Sequence, residues 1–137
     1  MALSITLKPN ELFVINGTLI RNGGKGAKLH IETPCRMLRE TEIIREDEVD
    51  TPCKQIWMTI QVIHLSDDPT QATVLLLSQI AELTRLMPSS APFIAAVMNA
   101  LDEKQTHRAL KEIKRLVQFE REMLDHGMDQ ADAAQAS

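Results

Sequence analysis

The first forty residues alternate between apolar and polar positions with a period of two, which is typical of half-buried β-strands. The apolar positions of this pattern are Ile5, Leu7, Leu12, Val14, Leu19, Ile20, Leu29 and Ile31. Turn signals separate them: Lys8-Pro9-Asn10 predicts a turn, Asn16-Gly17 a two-residue hairpin, and the glycine-rich residues 22–26 a flexible loop. The pattern predicts a β-rich amino-terminal half.

The pattern between residues 35 and 65 is less regular. It predicts a short strand from Met37 to Arg39, and the charged residues 40–50 could hold a helical turn or two. The next run, 54–65, reads KQIWMTIQVIHL and is rich in β-branched residues, which favours a strand, although its length also fits a buried helix. We predict a strand for this run.

Helical patterns begin at Asp68-Pro69-Thr70-Gln71, because Asp can cap free amides and Pro suits the first helical position. A leucine-rich first helix is predicted over 69–87, and Pro88 ends it. Ser89-Ser90 predicts the cap of a second helix over 91–102.

A third helix is predicted over 103–125, where apolar residues form one stripe, and His126-Gly127 predicts its end. The predicted fold class is therefore α+β, with a small antiparallel β-sheet unit followed by a three-helix carboxy-terminal unit. We expect one domain over 1–127, divided into a β-rich half, 1–65, and a helical half, 66–127. Residues 128–137 are predicted to be a disordered tail.

Composition narrows the class of protein. At 137 residues the chain fits one domain, and no stretch approaches the ~20 uncharged apolar residues that a membrane helix needs. The amino terminus lacks a basic start followed by an apolar core, so we expect a cytoplasmic protein. Cys35 and Cys53 are then expected to be thiols.

Residue spacing gives no reason to expect an enzyme. The histidines and cysteines show no pair with the close spacing of zinc sites, so neither a metal nor another cofactor is predicted. No phosphate loop, dinucleotide fingerprint or nucleophile elbow is present. The acidic residues 46–48 are typical of a solvated surface.

Charge is distributed unevenly along the chain. Between Arg21 and Arg39 five basic residues face one acid, Glu32, whereas the whole chain has a net charge of −4. A basic face on a small sheet can hold single-stranded RNA, and a merely solvated strand face is the alternative. Phe13 is the only aromatic residue before Trp57, so this region lacks an aromatic stacking platform.

The predicted helices offer two further surfaces. The third helix carries a basic stripe that could contact RNA or an acidic partner, unless neighbouring glutamates such as Glu112, Glu120 and Glu122 neutralise it or the basic side chains are simply solvated. The stripe consists of Lys104, Arg108, Lys111 and Arg115. The first helix is apolar on more than one face, which predicts contact with the sheet, a homo-oligomer, most simply a dimer, or a partner protein.

Several segments together resemble the flagellar biosynthesis repressor FlbT family of alpha-class proteobacteria. They are LKPNE at 7–11, INGTLIRNG at 15–23, MLRETEI at 37–43, the TP and QIWM segments within 51–58, and the FERE segment at 119–122. The resemblance implies a post-transcriptional regulator that associates with the flagellin messenger RNA leader and alters its translation and lifetime. It also implies a complex with a second small flagellar protein, FlaF, or with flagellin.

Residues 4–45 are also distantly similar to the carbon storage regulator CsrA, a strand-swapped dimer that binds messenger leaders. In that family an arginine followed by glutamate on the last strand contacts RNA, and the matching position here is Arg39. The sequence departs from that pattern at Leu38, where a histidine is common. The expected RNA contacts are Arg39, Arg36, Lys28, Arg21 and Lys8.

Two functions of different classes follow. The first is an RNA-binding regulator of flagellin synthesis that uses the basic residues of the sheet. The second is a protein-interaction module or chaperone-like partner of flagellin or FlaF that uses apolar surface on the predicted helices 69–87 and 103–125.

Overall fold

The computed structural model describes residues 3–33 and 35–136, with side chains at 4–33 and 35–126. Two small sheets precede a helical unit, which confirms the α+β class. The strands are β1 (Leu3–Leu7), β2 (Leu12–Ile15), β3 (Thr18–Arg21), β4 (Ala27–Ile31) and β5 (Met37–Arg39). The helices are α1 (Pro52–Leu65), α2 (Thr70–Leu86), α3 (Ala91–Asp102) and α4 (Thr106–Ala136). Short 3₁₀ turns at Glu40–Glu42 and Glu46–Glu48 confirm the helical turns predicted after β5.

The strands form two antiparallel sheets. In the first, β1 pairs with β4, with Leu3 opposite Ile31 and Leu7 opposite Ala27. In the second, β2 lies between β3 and β5, and Phe13 faces Ile20 on one side and Arg39 on the other. The side chains of β1 alternate between buried and exposed positions as a period of two predicts.

Two turns confirm their sequence signals. Asn16 and Gly17 both have positive φ, +49° and +82°, which the two-residue hairpin between β2 and β3 requires and which Asn-Gly adopts at low cost. In the β1–β2 turn the amide of Glu11 donates to the Lys8 carbonyl over 3.1 Å, with Pro9 at the second position and Asn10 at φ +64°. Proline followed by a residue of positive φ is the sequence pattern of a type II turn.

The predicted strand at 54–65 is wrong, because this run belongs to α1. Thr51 caps the helix by accepting from the amide of Lys54 over 3.2 Å, and Pro52 occupies the first turn. The buried apolar residues of α1 follow a helical spacing of three and four and are Cys53, Ile56, Ile60 and Ile63. Burial of this stripe outweighs the strand preference of β-branched residues. The strands therefore end at Arg39, not at residue 65, and four helices follow instead of three.

The start and end of α2 agree with the sequence signals. The Asp68 carboxylate accepts from the backbone amide of Thr70 over 3.2 Å and from its hydroxyl over 2.6 Å, and these hydrogen bonds lower the pKa of Asp68. Helix α2 ends at Leu86, two residues before Pro88. The predicted side-chain cap of α3 is wrong: Ser90 has helical backbone angles instead of an extended N-cap conformation, and its buried hydroxyl has no hydrogen-bond partner among the described atoms.

The predicted end of the last helix at His126-Gly127 is also wrong, because the backbone of α4 is helical to Ala136. One glycine costs only about 1 kcal/mol within a helix, and the alanines that follow favour helix. Residues 128–137 were expected to form a disordered tail. Their side chains lie outside the described residues, so the disorder of this tail stays a prediction.

The core has a large helical part and a small part under the sheets. The large part contains buried residues of all four helices, and Leu38 of β5 is its one fully buried residue from a described strand. The small part consists of Ile5, Leu7 and Phe13. A second link joins the halves, because the Gln61 side-chain amide accepts from the Ile44 backbone over 2.9 Å and donates to it over 3.1 Å. These contacts fix the strands on the helical unit.

Glu120 of α4 fastens the start of α1. Its buried carboxylate accepts from the Thr51 hydroxyl over 2.5 Å and from the Cys53 amide over 3.3 Å. Cys53 is fully buried next to Glu120. Its burial, together with the neighbouring Glu120 carboxylate, raises the pKa of the Cys53 thiol. Both described cysteines are free thiols, as predicted.

Replacing Glu120 by alanine is expected to lower the free energy of unfolding by about 2 kcal/mol, because a buried hydroxyl and a buried amide lose their acceptor. Denaturant unfolding measures this change. Glu122→Ala is the matched control, since Glu122 is an exposed glutamate of the same helix. Equal effects of the two substitutions would contradict the role assigned to Glu120.

Candidate nucleic-acid interface

Arg39, at the end of β5, reaches across to the β1–β2 turn. Its Nη2 donates to the Thr6 carbonyl over 2.5 Å and to Oε2 of Glu11 over 3.1 Å. Its side chain keeps 35% of its exposure. Arg39 therefore links β5 to β1 and to the β1–β2 turn, and part of its side chain is exposed to solvent.

Glu11 is the counter-charge at this turn. Its carboxylate accepts from the Lys8 backbone amide over 2.8 Å, and this hydrogen bond, followed by the contact with Arg39, lowers the pKa of Glu11. The carboxylate is therefore charged at neutral pH and offsets the charge of Arg39. Sequence reasoning missed this role, because Glu11 and Arg39 lie 28 residues apart.

Arg21 and Lys8 lie on either side of the same turn. Arg21, the last residue of β3, donates from Nη1 to the Asn10 carbonyl over 3.1 Å. The Lys8 carbonyl accepts from the Asn22 side chain over 3.1 Å, which holds the loop after β3 against the turn. Both cationic side chains are exposed.

Lys28 extends this basic surface onto the first sheet. It is exposed on β4 opposite Thr6, the residue whose carbonyl Arg39 contacts. Ser4 and His30 lie on the same outward face and are joined by a 2.9 Å hydrogen bond. We name the set Lys8, Arg21, Lys28 and Arg39 the turn cluster.

The turn cluster has little internal neutralisation. Among the described side chains, Glu11 is the only carboxylate within ion-pair distance of any of its four cations, and its partner is Arg39. A groove of about 570 Å³ opens beside it, between residues 8–11 and residues 39–41. The exposed cations of this set that form no ion pair with a described carboxylate, Lys8, Arg21 and Lys28, are suited to contact phosphate groups.

Arg36, the fifth predicted contact, lies elsewhere. Its guanidinium pairs with the exposed carboxylate of Asp67, just before α2, and its backbone amide donates to the Asn16 side chain over 3.0 Å. Lys8, Arg21 and Arg39 thus lie at or contact the β1–β2 turn, Lys28 lies on β4 opposite Thr6, and Arg36 is held elsewhere by Asp67.

The predicted basic stripe on the last helix is not one helix face. Lys104 precedes α4 and has a φ of +59°. Arg108 pairs with Glu103 over 2.9 Å and Arg115 with Glu112 over 3.4 Å, which matches the alternative of neutralisation by neighbouring glutamates. Among the four, only Lys111 is exposed on α4 without an ion pair to a described side chain.

His64 joins the sheet to two helices, a role that no sequence motif indicates. Its Nε2 lies 3.2 Å from the Met37 carbonyl, which can only accept, so Nε2 carries the proton and Nδ1 accepts from the Thr106 hydroxyl at 2.6 Å. Burial lowers the pKa of His64 and keeps the ring neutral at pH 7. The His107 ring lies nearby, with ring centroids 6.0 Å apart and the planes tilted by 41°, and His107 contacts Glu42.

The lowered pKa of His64 predicts a pH-dependent stability. Between the ordinary value of 6.5 and the lower folded value, the unfolded chain binds more protons than the folded one. The free energy of unfolding should therefore fall as pH falls through this window, and the contribution of His64 should level off below the folded pKa. Denaturant unfolding of His64→Gln should give a flatter profile from pH 7.5 to 5, whereas His30→Gln, at an exposed position, should keep the slope. If the free energies of unfolding of the wild type and of His64→Gln change in parallel with pH, a group other than His64 causes the pH dependence.

Comparison with known proteins supports the family resemblance that the sequence segments indicated. Residues 3–124 match the family described as "Flagellar protein FlbT". This chain belongs to the FlbT family. The match covers all five strands, the first three helices and most of α4, so it extends over both halves of this fold.

Individual FlbT proteins are similar over most of their length. The probable flagellum biosynthesis repressor protein FlbT of Rhodopseudomonas palustris is 32% identical over 124 residues, which cover 90% of this chain and 98% of the relative. FlbT 1 of Bradyrhizobium diazoefficiens is 29% identical over 90% of this chain and 85% of the relative. The flagellum biosynthesis repressor protein FlbT of Caulobacter vibrioides is 28% identical over 92% of both. No solved structure matches this chain.

Among the described residues, no helix combines the length and the apolar character needed to span a membrane. Within the same residues, no group of three or more histidine, cysteine, aspartate or glutamate side chains is arranged to hold a metal ion.

Proposed function

We propose that this FlbT-family chain regulates flagellin synthesis after transcription, by binding the leader of flagellin messenger RNA in the cytoplasm and changing its translation and lifetime. The relatives are named flagellum biosynthesis repressors, which supports the regulatory part of the proposal. The RNA-binding part rests on the turn cluster.

The observation that carries the proposal is the arrangement of Lys8, Arg21, Lys28 and Arg39. The first, second and fourth lie at or contact the β1–β2 turn, and Lys28 lies on β4 opposite Thr6, on a protein whose net charge is −4. A negatively charged chain binds RNA only through a local concentration of cations that contact phosphates. Asn10 and the exposed part of Arg39 add hydrogen-bonding groups beside the groove.

The proposal is tested by binding the purified chain to labelled flagellin leader RNA over a range of salt concentrations, with a scrambled RNA beside it. We expect selective binding whose logarithmic salt dependence has a slope of about −3, since four cations each release about 0.7 counterion from a single strand. Folded, nucleic-acid-free protein that fails to bind the leader would contradict the proposal.

A second candidate function is a protein-interaction module or chaperone-like partner for flagellin or FlaF. A groove of about 610 Å³ at the end of α1 favours it, since apolar side chains of Leu76, Met98 and Leu101 line it. Met123 and Leu124 are exposed on α4 as well. Salt-resistant binding to flagellin or FlaF, together with no affinity for the leader, would favour this function over RNA binding.

A further inference from the structure

A cavity of about 460 Å³ opens between the first sheet, β5 and the helical unit. The apolar side chains of Ile5 and Met37 form part of its wall. Ser4, Thr33 and His107 also line it and are exposed, so the cavity is open to solvent. Pockets that hold small organic groups have volumes of about 300 to 1,000 Å³. We name this space the sheet-helix cavity.

Arg39 connects the sheet-helix cavity with the turn cluster. Its side chain lines the cavity, and its Nη2 donates to the Thr6 carbonyl over 2.5 Å and to Glu11 over 3.1 Å. Every hydrogen bond of the Arg39 guanidinium to a described residue uses Nη2, which leaves Nε and Nη1 for another acceptor. Lys28 lies opposite Thr6 on β4. The cavity is therefore beside the cations to which we assign the RNA phosphates.

The charged groups that line the cavity already have partners. Glu42 accepts from the Arg39 backbone amide over 3.1 Å through Oε1, and its Oε2 contacts His107. Arg39 pairs with Glu11. A phosphate entering the cavity would lose its water without meeting an unmatched positive charge, which is costly. A neutral group with apolar faces and a polar edge suits these walls, and an unpaired nucleobase has that chemistry.

Two histidine rings lie at the helical side of the cavity. Both ring nitrogens of His64 have partners, the Met37 carbonyl and the Thr106 hydroxyl. Half of the His107 side chain is exposed, and its contact with Glu42 uses Nε2. The two rings are tilted by 41° with centroids 6.0 Å apart, so they do not stack face to face. Unpaired bases stack on accessible aromatic rings of this kind, histidine included.

We propose that the sheet-helix cavity holds one unpaired base of the leader RNA, stacked on the ring of His107 and with its polar edge toward Arg39. This inference rests on the proposed function and adds a base contact to it. The other cations of the turn cluster contact phosphates, which carry no sequence information. The helical unit thereby contributes to selectivity for the leader through His107, and the strands supply the affinity for phosphates.

The test compares two substitutions of His107 in the binding of labelled leader RNA. His107→Phe and His107→Ala both remove the contact with Glu42, but only His107→Phe keeps a ring. We expect His107→Ala to bind the leader about tenfold more weakly than His107→Phe, because the stacking of one base is lost. The logarithmic salt slope should be equal in the two variants, since both keep every phosphate contact. His107 is exposed, so both variants should fold, and circular dichroism checks this.

A second set of RNAs, in which the bases of the leader are removed one at a time, locates the base. One abasic position should weaken binding to the wild type about tenfold and leave binding to His107→Ala unchanged, because that variant has already lost the stacking contact.

The outcomes separate this inference from the proposed function. A wild type that does not bind the leader overturns the proposed function. A wild type that binds it, with equal affinities for His107→Phe and His107→Ala, overturns the base contact and leaves binding through phosphates standing. An abasic position that weakens the wild type and His107→Ala equally also overturns the inference, because the base is then read outside the sheet-helix cavity.

Discussion

Replacing Lys8 and Lys28 together by alanine is expected to weaken binding of flagellin leader RNA about 25-fold at 0.1 M salt, because each lost phosphate contact removes a factor of about five. The logarithmic salt slope should become shallower by about 1.4, the contribution of two contacts to a single strand. Both side chains are exposed and outside ion pairs with described carboxylates, so the fold should be unchanged. Fluorescence anisotropy over a salt series measures both quantities.

The control for this pair removes the same charge from the helical unit. Lys111 and Arg121 are exposed on α4, and their double replacement by alanine should leave the affinity and the slope near the wild-type values. If both double variants lose affinity equally, RNA responds to the net charge of the chain and the turn cluster is not the site.

Replacing Leu38 by alanine is expected to lower the free energy of unfolding by about 3 kcal/mol, within a range of about 2 to 5 kcal/mol. Leu38 has no exposed surface and links β5 to the helical core, so its loss leaves a cavity where the two halves meet. Denaturant unfolding followed by circular dichroism measures the change.

Leu19→Ala provides the comparison for Leu38, since the same atoms are removed from an exposed strand position. Its effect should stay within about 0.5 kcal/mol. A Leu38→Ala protein as stable as Leu19→Ala would mean that the strands and the helices do not share a core.

Local chemistry made the amino-terminal half predictable. Asn16-Gly17 and Lys8-Pro9-Asn10 have backbone preferences that few other structures satisfy, so they determined where strands begin and end. The alternation of apolar residues could then be assigned to one face of each strand. Pairing of β1 with β4 was not predicted, because it depends on contacts between residues twenty or more positions apart.

The run 54–65 shows why local propensity is insufficient. Its β-branched residues favour a strand, but the buried positions 53, 56, 60 and 63 have helical spacing, and the Thr51-Pro52 cap marks a helix start. Both signals were present in the sequence. Tertiary burial decided between them, and it depends on α2 and α4, which the local pattern does not contain.

The candidate site was predicted in part for a similar reason. Exposed cations can be found from the sequence, and Lys8, Arg21 and Arg39 meet at the β1–β2 turn, with Lys28 on β4 opposite Thr6. Their partners depend on the fold: Glu11 offsets Arg39, and Asp67 holds Arg36 away from the cluster. Arg39 therefore has a structural contact as well as an exposed part, and an alanine substitution there would disturb both. Lys8 and Lys28 are the cleaner probes of RNA binding.

The most direct test of RNA binding through the turn cluster is a nuclear magnetic resonance titration of the labelled chain with flagellin leader RNA. We expect the amide shifts to concentrate in residues 6–11, 21–28 and 39–41, and the amides of α2 and of residues 108–121 to stay nearly unchanged. Shifts confined to the helices, or none under conditions in which the RNA is present in excess, would contradict binding through the turn cluster.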